Sequence, residues 1–302
     1  MDCGLVDRSE RGKLALTGED RKPFLNGQVT NDIEALTAGE GCYAAFLTPK
    51  GKMLGDLRVL DVDPTPPDQT PELLLDTERV SLQALFDLIR RFSIGHRVEL
   101  HKRTVQTGLL SLLGPDARAV AGAADLPERE HAHRPAQIDG RPVRLIATDL
   151  GVDVLCDAAD TEAVASALAT AGAEPMDEAR AEVLRVERGR PRYGVDLDDS
   201  VIPQEAGLND RAVSFTKGCY VGQETVARLH YKGKPNRHLR GIRLASPAPA
   251  GTPLTLEGRE VGRLGSAVVS PRLGPIGLAL VRREAPPGTA LDDGAEVVEL
   301  PF

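Results

Sequence analysis

The sequence predicts an α+β protein with a ferredoxin-like α/β unit and a small C-terminal antiparallel β-barrel. From Thr104 to Gly172, the apolar periodicity predicts the order strand, helix, strand, strand, helix, which is most of a split βαβ unit. After residue 237, short strands alternate with Gly and Pro turns, a pattern typical of a small barrel or sandwich. A chain of 302 residues is also too long for one simple core and predicts about two domains.

Strands and short helices are predicted for the first hundred residues. The clearest helix covers residues 81–92, because apolar residues recur there at i, i+3, i+4 and i+7. The turn at residues 49–52 joins two apolar runs and predicts a hairpin with a basic tip. The other predictions are a helix over 20–29, a proline-rich loop over 64–71, and strands over 14–17, 41–48, 53–60, 72–76 and 97–101.

The same patterns continue to the C-terminus. Strands are predicted up to residue 113 and over 143–147 and 152–156, and helices over 115–122, 161–171 and 177–189. The last of these helices has its apolar stripe at Ala179, Val183 and Val186. A basic linker at 231–235 marks a boundary, after which strands are predicted over 239–244, 253–256, 261–270, 276–281 and 295–300.

Composition disfavours several classes of partner. A net charge of −8 argues against broad, sequence-independent binding to DNA or to an anionic membrane. With four Tyr, six Phe and no Trp, few side chains can stack on bases, so direct contact with tRNA is also disfavoured. The chain has no apolar run long enough to span a bilayer, and its N-terminus has no signal-peptide pattern. We therefore expect a cytoplasmic protein.

The segment from Lys217 to Glu224, KGCYVGQE, places a thiol between two glycines. Glycines at such positions indicate a tight turn or a close approach of the backbone. Lys217 is close enough in sequence to favour the thiolate of Cys219, and a helix that opens at Gly222-Gln223 would favour it further. The segment therefore predicts a reactive or ligand-facing thiol. The alternative is a buried, inert cysteine in a Gly-rich turn.

The four cysteines are far apart in the sequence. They are Cys3, Cys42, Cys156 and Cys219, and no CxxC motif occurs. This spacing argues against a zinc knuckle or a self-contained iron–sulfur site, so no metal-ligand set is assigned. Disulfides are not expected in a reducing cytosol.

Two polar residues in the first hundred could face a ligand. Asn31 follows Thr30 and precedes Asp32, a combination that favours a helix cap or an Asx turn, with a polar ligand as the alternative. Asp56 lies within an apolar strand, where aspartate is disfavoured. Its side chain is therefore either on the solvent face or held towards a ligand.

Further candidates follow the helix over 177–189. Glu187 lies in its last turn, where a carboxylate is unfavourable for the helix dipole, so Glu187 either pairs with Arg185 or Arg188 or faces a ligand. The irregular segments 191–196 and 201–208 come next, and segments of this kind often carry function. Glu205 follows Pro203 there and has a restricted backbone.

Together these motifs resemble the YgfZ family of folate-binding proteins, which are relatives of the glycine-cleavage T-protein, an aminomethyltransferase. The resemblance spans essentially the whole chain, and KGCYVGQE is its most specific part. The supporting matches are FLNGQVTND at 24–32, LTPKGK at 47–52 leading to Asp56, RVERG at 185–189, Tyr193-Gly194, and PQEAG at 203–207.

The resemblance implies a three-part ring of domains around a tetrahydrofolate pocket. The expected parts are residues 1–103, an N-terminal α+β folate-binding part; residues 104–235, a ferredoxin-like part with the KGCYVGQE motif; and residues 236–302, the barrel. It also implies a role in making or repairing iron–sulfur proteins, including those that modify tRNA. The implied partners are iron–sulfur client proteins and their assembly machinery.

The resemblance also assigns roles to individual residues. Glu187 and Glu205 are candidates to accept two N–H groups of the pterin ring, since charge-assisted bonds of this kind are strong. Arg228 and Lys217 could bind the anionic tail. Asp56 resembles the acid near the reacting nitrogen in the aminomethyltransferase, but Gly55 precedes it where the transferases carry a second acid. The candidate catalytic residues are Cys219, Lys217 and Asp56, and the candidate cofactor-binding residues are Asn31, Asp56, Glu187, Tyr193, Glu205, Gln223, Glu224 and Arg228.

Two functions are compatible with these residues. The first is a tetrahydrofolate-binding factor for iron–sulfur cluster assembly or repair, in which Cys219 contacts a cluster or partner. The alternative is an aminomethyltransferase-type one-carbon enzyme with Asp56 as its acid or base. The thiol motif favours the first, because transferase chemistry gives no reason for a cysteine there.

Overall fold

A computed structural model describes residues 2–62 and 70–302, so most of the predicted proline-rich loop over 64–71 lies outside the described residues. The first half of the chain forms β1 Gly4–Asp7, β2 Gly12–Thr17, α1 Arg21–Gln28, β3 Gly41–Leu47, β4 Met53–Val62, β5 Glu72–Thr77, α2 Leu82–Phe92, β6 Glu99–Lys102, β7 Thr107–Leu113, α3 Ala117–Val120, β8 His133–Ile138 and β9 Arg141–Ala147. The second half forms β10 Gly151–Asp157, a 3₁₀ turn at Ala158–Asp160, α4 Thr161–Thr170, β11 Glu174–Pro175, α5 Glu178–Glu187, α6 Asn209–Ala212, α7 Gln223–Lys232, β12 Arg237–Arg243, β13 Pro253–Leu256, β14 Arg259–Ser270, β15 Gly274–Arg282 and β16 Glu296–Val298.

These elements form three sheets, and the first two are built from the same module. The first sheet has the order β3-β4-β5-β2-β6 and the second β8-β9-β10-β7-β1-β11. Each contains a strand, a helix, three strands, a helix and a strand in chain order, and the strands occupy equivalent places in the two sheets. Only β1 is additional, between β7 and β11. The third sheet, β13-β14-β15-β12-β16, is antiparallel throughout and confirms the predicted small C-terminal β unit.

Two segments lie outside the parts to which the sequence assigned them. β1 pairs with β7 and β11 of the second sheet, although residues 1–103 were expected to form the first part. The stretch from Leu197 to Val226 packs its apolar side chains against Ala45, Leu47 and Met53 at the β3–β4 hairpin of the first sheet. Both differences arise because the strand and the irregular segment bury their apolar side chains on whichever sheet lies beside them, which sequence order does not fix.

Side chains alternate between the two faces of β4, and this alternation determines which residues lie between the first two sheets. Leu57 and Val59 point into the core beneath α1 and α2. Leu60 and Val62 belong to a different cluster, where they pack against Ile146 of the second sheet. Asp56 and Arg58 share the parity of Leu60 and Val62 and therefore face the second sheet. Because both faces of β4 are buried, the carboxylate of Asp56 and the guanidinium of Arg58 lie inside the molecule, between the two sheets.

The helix α5 joins the second and third sheets. Ala181 packs with Val6 and Leu113, and Val186 packs with the third sheet. The predicted stripe is wrong at Ala179, which is exposed. Because α5 packs against both the second and the third sheet, its buried residues do not lie on a single face of the helix.

Candidate functional site

A cavity of about 190 Å³ lies between the first and second sheets, and residues 190–193 also line it. The walls include Asp56 and Arg58 from β4, Asp153 from β10, and Tyr193. We call it the central cavity. Its position follows from the inward-facing parity of β4, and its walls come from elements far apart in the sequence.

Asp56 is a buried carboxylate held by a tyrosine. Its side chain accepts a hydrogen bond of 2.5 Å from the Tyr43 hydroxyl, and the residue is 4% exposed. Burial raises the pKa of Asp56 to about 6, against the opposing effect of the Tyr43 hydrogen bond. Burial and the adjacent carboxylate raise the pKa of Tyr43 well above its ordinary value, so Tyr43 remains a neutral donor. An acid with a pKa near neutrality can exchange a proton at physiological pH.

Arginine side chains line much of the central cavity, and each is already paired with a carboxylate. The Arg8 guanidinium donates two bonds of 3.1 Å to Glu178, and Arg190 Nε donates to Asp149 Oδ2 at 2.5 Å. The remaining pairs are Arg11 with Asp76 and Glu78, Arg58 with Asp76 and Asp153, Arg185 with Glu182 and Asp196, Arg192 with Glu178, and Arg211 with Glu130. Neighbouring carboxylates therefore neutralise most of the positive charge, which makes the cavity a poor site for an anion.

Some buried polar atoms at the cavity remain without a hydrogen-bond partner within the described part of the chain. They are Nε of Arg58, both ring nitrogens of His131, and Oγ1 of Thr148. Buried polar atoms are nearly always paired with protein or solvent, so these atoms are available to bond solvent or a polar ligand group that enters the cavity. Sequence reasoning missed His131 and Thr148, because neither belongs to a motif or to a periodic pattern.

A second cavity of about 640 Å³ adjoins the central one, and residues 148–150 line both. Glu187 lines this second cavity. Its carboxylate accepts from Ser270 Oγ at 2.5 Å and from Arg272 Nη2 at 3.1 Å, instead of pairing with Arg185 or Arg188. The two adjoining cavities thus carry one predicted carboxylate each, Asp56 and Glu187.

Tyr193 and Asn31 have different positions relative to the central cavity. Tyr193 lines it. The side-chain amide of Asn31 donates to the carbonyls of Tyr43 at 2.9 Å and Arg211 at 3.3 Å, so Asn31 holds two residues of the cavity wall together. Its contacts are those of a supporting residue.

Glu205 is buried and paired within the protein. It accepts from Arg237 Nη2 at 3.0 Å and from the Ile202 amide at 3.2 Å. The Leu239 amide also donates to the Glu205 carbonyl at 2.7 Å. Glu205 therefore ties the irregular segment to β12, and the residues that line the central and second cavities do not include it.

Lys217 supports the end of α1. Its ammonium donates to the carbonyls of Asn26, Val29 at 2.8 Å and Asn31 at 2.9 Å. Burial lowers the pKa of Lys217 to about 8. Since the ammonium is engaged by these carbonyls, no contact within the described residues supports the expected activation of Cys219 by Lys217.

Replacing Lys217 by methionine is expected to lower the free energy of unfolding by about 2–4 kcal/mol, because carbonyls that accept from a charged donor would lose it. Urea unfolding of the full chain measures the change. Lys50→Met is the matched control, since Lys50 is exposed in the β3–β4 turn, and its effect should stay within about 0.5 kcal/mol. Equal effects of the two variants would contradict the supporting role.

Cys219 is exposed, unlike Cys3 and Cys156, which are buried. Gly222, at φ +85°, precedes α7 and packs so closely on the β3–β4 turn that an added Cβ would come within 2.6 Å of the Thr48 carbonyl oxygen. This close approach and the positive φ explain the glycine at position 222, whereas a Cβ added at Gly218 would meet nothing within 4 Å. Across residues 2–62 and 70–302, His, Cys, Asp and Glu form no group of three that could hold a metal ion.

The remaining predicted residues lie on α7. Gln223 begins the helix and is half-buried, whereas Glu224 and Arg228 are exposed on its surface. The residues lining the central and second cavities include none of the three. The motif and the central cavity are thus separate features of the structure.

Comparison with known proteins places this architecture in a family. Residues 1–217 match the model of the GCVT N-terminal domain, and residues 237–299 match that of the CAF17 C-terminal beta-barrel domain. The chain belongs to the GCVT N-terminal domain family. This membership, together with the CAF17-type barrel, confirms the predicted relation to YgfZ and to the glycine-cleavage T-protein, and it supports a folate-related function.

Individual relatives show how far the likeness extends. The chain is 30% identical over 293 residues to the chloroplastic "Putative transferase" of Arabidopsis thaliana, covering 93% of this chain and 66% of that relative, about two thirds of its length. It is 29% identical over 327 residues to the aminomethyltransferase of Streptomyces avermitilis, covering 99% of this chain and 86% of the relative. The crystal structure of the glycine cleavage system aminomethyltransferase T from Bartonella henselae has the same fold, with a TM-score of 0.85, 23% identity, and coverage of 100% of this chain and 86% of that one.

The comparisons leave the cellular location as a prediction. One relative is named as chloroplastic, so the expected cytoplasmic location is not confirmed. Among the described helices, none has both the length and the apolar character needed to cross a membrane.

Proposed function

We propose that this protein binds tetrahydrofolate, or a one-carbon derivative of it, in the central and second cavities, and that it supports the assembly or repair of iron–sulfur clusters in client enzymes, including tRNA-modifying ones. The observation that carries the folate part is the buried Asp56–Tyr43 pair, at a cavity with unsatisfied polar atoms, in a chain of this family. The iron–sulfur part rests on the resemblance of the KGCYVGQE motif.

The residues present fit the cofactor. The central cavity alone is smaller than the roughly 300–1,000 Å³ of a typical small-molecule site, but the adjoining cavity of about 640 Å³ provides the remaining space. Asp56 and Glu187 supply the carboxylates that the N–H groups of a reduced pterin require. Tetrahydrofolate, when bound, would supply the one-carbon chemistry, and the chain's own residues would hold it and exchange protons at Asp56.

The anionic tail of the cofactor needs a partner other than the two residues expected from the sequence. The Lys217 ammonium already donates to backbone carbonyls. Arg228 lies on α7 and is not among the residues that line the central and second cavities. The second cavity is lined by Arg188, an exposed arginine, and by Arg118, whose guanidinium donates to backbone carbonyls. Arg188 is the better candidate of the two, because the Arg118 guanidinium, like the Lys217 ammonium, already donates to carbonyls.

Calorimetric titration of the full chain with tetrahydrofolate tests the folate part. Micromolar affinity would support the proposal, and the absence of heat and of any thermal stabilisation at millimolar ligand would refute it. Glu205→Ala serves as a control because Glu205 pairs with Arg237 outside the cavities. This variant is expected to lose stability and to keep its affinity.

Cys219→Ser is expected to abolish support of iron–sulfur enzymes while leaving the melting temperature unchanged, because the side chain is exposed. The measurement is the activity of an iron–sulfur tRNA-modifying enzyme in cells whose own copy of this protein is deleted. Thr216→Ala, at another exposed position of the same loop, is the control and should restore full activity. Full activity of the tRNA-modifying enzyme with Cys219→Ser would contradict the proposed role of the thiol.

One thiolate cannot hold a four-iron cluster, which usually takes four. Any cluster at Cys219 would therefore be shared with a client protein or with assembly machinery, which we propose as the partners. Direct binding to DNA or tRNA is not part of the proposal.

Aminomethyl transfer is the second candidate, and the pKa of Asp56 favours it. A carboxylic acid with a pKa of about 6 is suited to general acid–base catalysis near neutral pH. Gly55, where the transferases carry a second acid, weighs against it. Turnover of methylene-tetrahydrofolate with an aminomethyl donor, lost in Asp56→Asn, would establish this candidate over the first.

A further inference from the structure

His131 combines three features that a purely structural residue rarely has together. It is 8% exposed, and neither ring nitrogen has a hydrogen-bond partner in the part of the chain that the structure describes. Its nearest carboxylate oxygen among the ion pairs, Glu130 Oε1, lies 3.6 Å from Nε2, too far for a hydrogen bond, and that oxygen already accepts from Arg211. Its backbone has φ +70°, a conformation that is unfavourable for residues other than glycine.

His133, two residues away, shows the ordinary arrangement. It is also buried, but its ring nitrogens contact the Glu40 carbonyl at 3.1 Å and Arg144 Nη1 at 2.9 Å. Besides the positive φ of His131, the two buried imidazoles differ in their hydrogen bonding. His133 is fully engaged by the protein, whereas His131 lines the central cavity with its hydrogen-bonding capacity unused.

The unused atoms around the central cavity can all donate to one kind of group. Arg58 Nε and the Thr148 hydroxyl each carry a hydrogen, and a neutral imidazole carries one on either nitrogen. Burial, followed by the charges of Arg58 and Arg211, lowers the pKa of His131 to about 3, so the ring is neutral. Because the arginines of the cavity already pair with carboxylates, the group that suits these donors is an uncharged acceptor and not an anion.

We propose that His131 and Thr148 are ligand-contacting residues that donate to the ring carbonyl oxygen of a reduced pterin bound in the central cavity. This inference rests on the proposed folate binding. It extends that proposal by stating that the ring carbonyl oxygen is recognised, and that the side chains of His131 and Thr148 recognise it. The site would then discriminate between a 4-oxo and a 4-amino pterin. A site built to bond an acceptor rejects an analogue that offers a donor in its place, because its own donors are left unpaired.

The test compares tetrahydrofolate with its 4-amino analogue by calorimetry on the full chain. Wild-type protein is expected to bind tetrahydrofolate at least about 10-fold more tightly. His131→Gly and Thr148→Val should each reduce this preference by about 5-fold or more. Gly suits the positive φ of position 131, so loss of selectivity in that variant cannot arise from backbone strain.

Stability measurements separate a ligand contact from a structural one. His131→Gly should keep or raise the melting temperature of the free protein, because it removes an unpaired buried imidazole and relieves the backbone. His133→Ala, the matched control, should lower the melting temperature and retain the selectivity. A merely structural His131 would show the pattern expected for His133.

Each outcome decides one point. If wild-type protein binds neither compound, the proposed folate function fails and this inference falls with it. If tetrahydrofolate binds but wild type does not prefer it to the 4-amino analogue, folate binding stands and reading of the ring carbonyl is overturned. If the preference exists and survives both His131→Gly and Thr148→Val, assignment to these two residues is overturned.

Discussion

Replacing Arg58 by methionine is expected to lower the free energy of unfolding by about 3–5 kcal/mol, the largest stability effect that we predict for a single side chain. Arg58 bridges the first and second sheets: Nη1 donates to Asp153 Oδ2 at 2.6 Å, and Nη2 lies 2.8 Å from Asp76 Oδ2. Burial would lower the pKa of Arg58, but these two carboxylates outweigh it and raise the pKa, so the guanidinium stays charged. Removing it would leave two buried carboxylates with too few partners.

Guanidinium-induced unfolding at pH 7 measures the change. Arg263→Met is the matched control, because Arg263 pairs with Glu260 on the surface and both side chains are at least half exposed. Its effect should stay within about 0.5 kcal/mol. Adding Asp153→Asn to Arg58→Met should recover part of the loss, since one unpaired carboxylate is then removed. Equal losses in the two arginine variants would contradict the bridging role.

The pH dependence of this network has a defined sign. Burial alone would raise the pKa of Asp76, but Arg11 and Arg58 outweigh burial and hold it below the ordinary value. The stabilisation from Asp76 is therefore complete above the ordinary pKa of about 4 and is lost as the pH falls through the lower value of the folded state. In Arg58→Met the acid-induced loss attributable to Asp76 should be smaller.

Elements with a strong local period could be predicted from the sequence, and weakly patterned ones could not. The helix α2 and the strand β13 lie where the apolar spacing predicts them. β8, by contrast, reads His-Arg-Pro-Ala-Gln-Ile and was missed, because its alternation is carried by polar and proline residues. β1 was missed because four residues are too few to show a period.

The same distinction applies to the candidate site, where residues with a local sequence signal could be predicted and the others could not. Asp56 was identifiable because a carboxylate within an apolar strand conflicts with its surroundings, which is a local signal. The pairing of Arg58 with Asp153 joins residues 95 positions apart, so no local pattern contains it. His131 could not be identified because its distinguishing features, a positive φ and unpaired ring nitrogens, exist only in the folded chain.

Lys217 illustrates the opposite error. Its nearness to Cys219 in the sequence suggested that it favours the thiolate of Cys219. In the structure the long side chain reaches the carbonyls at the end of α1. Sequence distance limits where a side chain can reach, but the direction is set by which buried polar groups need a partner.

Asp56→Asn is expected to weaken tetrahydrofolate binding by about 100-fold and, at the same time, to stabilise the free protein. The loss of affinity follows because a carboxylate that accepts from a ligand N–H makes a charge-assisted bond, worth about 1.5–3 kcal/mol. The gain in stability follows from burial, which raises the pKa of Asp56 from 3.8 to about 6. That difference corresponds to about 3 kcal/mol against folding when the carboxylate is charged.

The sign of the pH dependence follows directly. Between pH 4 and pH 6 the folded protein binds more protons at Asp56 than the unfolded chain does, so the free energy of unfolding falls as the pH rises through this window. Asp56→Asn cannot ionise and should lack this decline. At pH 7 it should therefore be more stable than wild type by about 1–3 kcal/mol.

Asp61→Asn provides the matched control on the same strand. Asp61 is as buried as Asp56 but has the opposite parity on β4, and its Oδ2 lies 2.6 Å from Lys22 Nζ. Its neutralisation should lower stability, whereas Asp56→Asn should raise it, and should leave unchanged the affinity for tetrahydrofolate that Asp56→Asn should weaken. A carboxylate that destabilises the free protein yet is needed for ligand is explained only by function, because an aspartate kept for stability would lower the melting temperature when replaced. If Asp56→Asn instead melts earlier and binds normally, Asp56 is a structural residue and the central cavity is not the folate site.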